Sequence, residues 1–141
     1  MRKRTQAREF ALQMLYQREM HPEEPMETLL KSSQESNPAS PEVWEYTERI
    51  VQGTLQHLKE IDVLLSKYAE NWELHRMAVV DRNILRFATY ELLYLEEMPP
   101  KVVINEAVNI AKRYSQEESG KFVNGILDKI NHEEPRRYSS P

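Results

Sequence analysis

Cysteine is absent from the 141 residues, which excludes disulfides, thiolate-bound zinc and thiol nucleophiles. Glycine occurs only three times, at Gly53, Gly120 and Gly125, and no Walker A, dinucleotide-binding or Gly-x-Ser-x-Gly pattern is present. Long apolar runs are missing too. The longest, Met77 to Val80 and Leu92 to Leu95, have four residues each, far below the roughly 20 that a bilayer-spanning helix needs. Gln6, Arg8, Glu9 and Gln13 interrupt the apolar stretch that a signal peptide would carry after Arg2, Lys3 and Arg4. The chain reads as a cytoplasmic protein without membrane segments, of a size that fits one compact domain with a real core.

Apolar residues recur at helical spacing almost everywhere, and no stretch alternates over strand length, so the expected fold is all-α. A first helix over about Lys3 to Glu19 carries the stripe Ala7, Phe10, Ala11, Met14 and Leu15. Pro22 and Pro25 end it, and a short helix near Met26 to Gln34 follows. Ser40 and Pro41 stand as N-cap and first helical residue of the next segment. Its stripe, Val43, Thr47, Ile50, Val51, Thr54, Leu58, Ile61, Leu65 and Tyr68, is longer than an ordinary globular helix, which predicts a break between Gly53 and Lys59. A polar turn is expected around Asn71. A helix from about Val80 to Leu95 turns Ile84, Ala88, Leu92 and Leu95 inward. Pro99-Pro100 opens another, with Val103, Ile104, Ala107, Ala111 and Tyr114 on its apolar face. Ser115 and Glu118 have capping-box spacing before a last helix that buries Phe122, Val123, Ile126, Leu127 and Ile130. The domain is expected to span residues 1–131, with 132–141 a frayed, disordered tail. The sequence has no internal repeat.

Charge is unevenly spread beneath a formal total of -4. Residues 1–18 hold five basic groups and one acid, residues 19–98 seven and sixteen, and residues 99–141 seven and six. The basic start can attract polyanions, while the acidic middle is either a solvated surface or a receiver for a basic partner. Arg2, Lys3, Arg4 and Arg8 gather where the helix dipole disfavours cations, so a phosphate would relieve their repulsion and meet unpaired backbone N–H groups. Arg4 and Arg8 share a face, with Tyr16 two turns along the same row as an aromatic plane. Nucleic-acid binding, a solvated basic terminus and contact with an anionic membrane surface all fit that cluster.

Catalytic and metal-binding patterns are lacking. His21, His57, His75 and His132 are scattered without ligand spacing. Glu91 and Glu106 have the residue types of an acid/base pair, but ion pairing with Arg86 or Arg82 is the favoured role. No cofactor is expected.

Several motifs stand in order: Val80-Asp-Arg-Asn-Ile-Leu-Arg86, Tyr90-Glu-Leu-Leu, Pro99-Pro-Lys-Val-Val-Ile-Asn-Glu-Ala107 and Lys121-Phe-Val-Asn-Gly125. With Arg4, Ala7-Arg8-Glu9 and Gln13-Met-Leu-Tyr16 they make residues 3–130 resemble the NusB family. The resemblance implies an all-helical fold of about seven helices in two small packed bundles. It also implies a transcription antitermination factor that binds single-stranded box A RNA of ribosomal RNA leaders with the ribosomal protein NusE, in a complex on RNA polymerase. The family's RNA contacts carry over onto Arg2, Lys3, Arg4 and Arg8, and continue near Lys121 and Phe122. Thr5 and Gln6 stand where some members have further arginines, which weakens the expected electrostatic contribution. A lysine can neutralise phosphate and a phenylalanine can stack on an unpaired base, although Phe122 also fits a core position. Two other readings remain: a helical domain related to the accessory domain of RNA methyltransferases, without a catalytic segment in these residues, and a structural homodimer that associates through helical faces.

Overall fold

The computed structural model describes residues 2–70 and 73–137. Among them are seven α-helices and no strand: α1 (Arg2–Met20), α2 (Met26–Ser36), α3 (Pro41–Gln56), α4 (Leu58–Tyr68), α5 (Val79–Tyr94), α6 (Pro100–Tyr114) and α7 (Glu117–Glu133), with one 3-10 turn at Leu74–Arg76. The chain divides at Gly53, inside α3, into two compact units. The turn expected around Asn71 lies outside the described residues.

In the first unit the apolar stripe of α1 is buried as its spacing implies, with Ala7, Ala11 and Met14 wholly out of solvent. Phe10 stacks on Trp44 of α3, ring centroids 4.4 Å apart and nearly parallel. Such offset aromatic pairs add to the burial of their area. Beside them the buried Thr47 hydroxyl bonds to the Val43 carbonyl at 2.8 Å and lies 3.3 Å from that of Ala7, so α3 touches the backbone of α1. Ser40 starts α3 through its carbonyl, which accepts from the Val43 N–H at 3.0 Å. Its hydroxyl makes no hydrogen bond, so the expected side-chain cap is absent.

The second unit is built around α5, in which Asp81 and every residue from Asn83 to Leu93 are buried. A helix enclosed on all sides exceeds the one-sided stripe expected of it. The predicted break falls at His57, whose carbonyl accepts from the Ile61 N–H at 2.9 Å and starts α4. Pro99 and Pro100 occupy the N-cap and first position of α6, where a missing N–H costs nothing. Tyr114 departs from the expected apolar face. At the last turn of α6 it is 49% exposed beneath the Arg113 guanidinium, while Ile110 takes the core position. The helices α6 and α7 approach closely at Gly120, where an added Cβ would come within 2.8 Å of Lys112 Cε.

The start of α7 is shifted by one residue from the expected Ser115/Glu118 box. Gln116 is the N-cap and Ser119 the reciprocal partner, because the Ser119 hydroxyl is held by the buried Asp81 at 2.9 Å. At the other end α7 runs two residues past 131, and the chain beyond it is tied down as far as Arg137. Glu134 accepts from the Tyr68 hydroxyl at 2.5 Å and from Lys67 at 3.4 Å. The Arg137 backbone N–H donates to the Leu93 carbonyl at 2.7 Å, and its guanidinium reaches Glu60, Tyr94 and Glu134. Most of these are single polar contacts between residues distant in sequence, so no periodicity encodes them. Residues 138–141 of the expected tail lie outside the described residues.

Candidate nucleic-acid interface

The first turn of α1 contains no acidic residue to offset its basic start. Arg2 and Lys3 are exposed, and Lys3 pairs with Glu42 of α3 at 3.2 Å. The Arg4 guanidinium lies 4.3 Å from the centre of the Tyr46 ring, and that of Arg8 lies 5.9 Å from it. The result is a groove of about 710 Å³ with Arg2, Lys3 and Arg4 on one wall and Glu42, Tyr46 and Arg49 on the other. Glu45 also lines it, so four cations face two carboxylates and the balance stays positive.

Arg8 corrects an expectation. It is wholly buried, and a phosphate in solvent has no access to it. The physical reason is the width of the buried sector of α1, which takes in Arg8 and Leu12 besides the apolar stripe. For the same reason the row Arg4, Arg8, Leu12, Tyr16 dips into the core, and Tyr16, 41% exposed, does not continue the Arg4 surface.

Lys121 and Phe122 lie near the start of α7 in the second unit. Lys121 is exposed, and the half-buried Phe122 next to it lines a pocket of about 390 Å³ with Met77, Asp81, Ser115 and Ser119. One carboxylate oxygen of Asp81 accepts from Ser119, and the other, Oδ1, has no hydrogen-bond partner. Buried acceptors are ordinarily satisfied, and this oxygen is an exception.

The sequence reading does not single out Tyr46, Arg49 or Asp81. Glu42, Glu45, Tyr46 and Arg49 do share one face of α3 at helical spacing, a polar stripe with a tyrosine in it. Asp81 lies within the ordered Val80–Arg86 motif, but its spacing alone does not mark it as a site residue. No group of three or more metal-ligating side chains occurs among the described residues, and no helix among them is long and apolar enough to cross a membrane.

The model of the NusB family matches residues 5–132. The chain belongs to the NusB family. The transcription antitermination protein NusB of Thermodesulfovibrio yellowstonii is 41% identical over 143 residues, covering 94% of this chain and 93% of that protein. The NusB of Chloroherpeton thalassium is 44% identical over 130 residues, and the match spans 92% of this chain but 62% of that longer protein. The structure of T. maritima NusB superimposes with a TM-score of 0.85 at 44% identity, covering 92% of this chain and 91% of that one. A crystal structure of antitermination factors NusB and NusE in complex with dsRNA reaches 0.83 at 34% identity, covering 93% and 97%. The all-helical NusB fold implied by the ordered motifs is the one found. NusB proteins are transcription antitermination factors, not enzymes. The matched span starts at residue 5, so Arg2, Lys3 and Arg4 precede it.

Proposed function

We propose that this NusB-family chain is a cytoplasmic, non-catalytic antitermination factor that binds single-stranded box A RNA together with NusE, within a complex on RNA polymerase. The observation that carries the reading is its likeness over nearly the full chain to a NusB in complex with NusE and dsRNA. Residues 1–131 act as one RNA-binding module. Arg2, Lys3, Arg4 and Arg49 neutralise phosphates along the groove, a sequence-independent contribution. Around the α7 pocket, Lys121 meets phosphate and Phe122 offers its ring to an unstacked base.

The test is fluorescence anisotropy with labelled box A RNA and a scrambled RNA of equal length, with and without NusE. Preference for box A, sharpened by NusE, is expected. Equal binding to both RNAs, or none to either, overturns the proposal.

A further inference from the structure

The placement of two arginines on one tyrosine ring separates what Arg4 does from what Arg8 does. Both lie on α1 one turn apart, where like charges repel and the helix dipole disfavours each of them. Tyr46 is 7% exposed and stands on α3 between the buried Val43 and Thr47. Its π-system attracts a guanidinium placed against it. At 4.3 Å Arg4 is within that attraction, and at 5.9 Å Arg8 lies at its edge. A cation–π contact consumes none of a guanidinium's N–H donors, so the Tyr46 ring orients Arg4 without itself competing with a phosphate for them. An unrestrained arginine would lose its rotamer freedom on binding, and Arg4 has lost much of it beforehand.

We propose that Tyr46 is a positioning residue for RNA binding, acting through Arg4, and that the buried Arg8 braces the same ring without touching RNA. This rests on the groove being the phosphate site. Lys3, tied to Glu42 at 3.2 Å, is steered toward α3 by the same wall. Glu42, Tyr46 and Arg49 thus shape the basic start of α1 from a helix some 40 residues away in sequence.

The experiment replaces Tyr46 with phenylalanine and then with phenylalanines carrying one, two and three fluorines. These keep the ring's shape and drain its negative face. Each is made in the wild-type chain and beside Arg4→Ala, and box A affinity is measured on protein whose melting temperature is checked first. Tyr46→Phe should bind within about twofold of wild type. Progressive fluorination should weaken binding by roughly three- to tenfold in total. Beside Arg4→Ala it should change nothing further. Tyr46→Leu, where it folds, should behave like the most fluorinated variant. Arg4→Ala that weakens binding while fluorination does not, or fluorination that weakens binding equally without Arg4, overturns the role of Tyr46 alone. Wild-type chain that does not bind, or is indifferent to Arg4→Ala, overturns the groove as phosphate site and this inference with it.

Discussion

The Arg86 guanidinium meets the Asp62 carboxylate fork to fork, with Nε 2.9 Å from Oδ1 and Nη2 3.0 Å from Oδ2, and so joins α5 to α4. Arg86 also donates to Asn83 Oδ1 at 3.0 Å. The arginine side chain is 10% exposed and the aspartate 27%. Paired, the two charges compensate each other's loss of water. Separated, the guanidinium is left nearly enclosed. Asp62→Ala should therefore cost about 2 to 3 kcal/mol, somewhat less than for a fully buried pair because water reaches Asp62. In a domain of this size that is a fall in melting temperature of roughly 6 to 12 °C. Asp62→Leu with Arg86→Met should recover most of it. A melting temperature unchanged in Asp62→Ala would mean that the pair adds no stability.

For RNA the salt dependence is the sharper measurement. Four phosphate contacts to a single strand give a log-log slope of about -2.8. Arg4→Ala with Arg49→Ala should flatten it by about 1.4, at roughly 0.7 for each contact removed. Arg8→Lys should leave the slope of the folded protein alone, since Arg8 is buried. A slope that fell with Arg8 and not with Arg49 would place the phosphates elsewhere.

Phe122→Leu keeps most of the apolar volume at the α7 pocket and loses the flat ring. Phe122 is half-buried, so stability should change by less than about 1 kcal/mol. Box A affinity should weaken by roughly 1 to 3 kcal/mol if the ring stacks on a base. Clear destabilisation with full RNA affinity in the folded fraction would make Phe122 a packing residue and nothing more.

The contacts that hold the chain after α7 predict loss of stability at both pH extremes. The Tyr68 hydroxyl holds the Glu134 carboxyl below its usual 4.5. The stability this adds is present above the ordinary carboxylate range and lost as the pH falls through the lowered folded value. Tyr68 is pushed above 10.0, chiefly by its hydrogen bond to Glu134, and Tyr94 is pushed up chiefly by burial. Their contribution is present below the ordinary phenol value and lost as the pH rises through the raised ones. Melting temperature against pH should show both declines. Glu134→Gln should shallow the acid one, and Tyr68→Phe the alkaline one. Profiles identical to wild type would show that these contacts are not coupled to folding.

The helices are legible in the sequence because proline, serine and apolar spacing act within one or two turns, as at Pro41, at Pro99-Pro100 and in the stripe too long for one helix that breaks at His57. The capping residue of α7 is one position away from its expected place because Ser115 and Glu118 also satisfy the local pattern. The choice belongs to Asp81, 38 residues away, which holds Ser119. Arg8 reads as a surface cation because charge is visible in sequence and the width of a buried sector is not. Tyr46 and the contacts of Glu134 and Arg137 depend on helices meeting at long range, which no local spacing announces.

Enclosure of α5 has a consequence for how the second unit opens. Its backbone amides from Asn83 to Leu93 lie behind α4, α6 and α7, so solvent deuterium cannot reach them by fraying of an end or by detachment of one neighbour. These amides should exchange last and together. Their rate measures the free energy of complete opening of residues 54–137, while amides of α2, with only Leu29, Leu30 and Ser33 buried, exchange through smaller local openings.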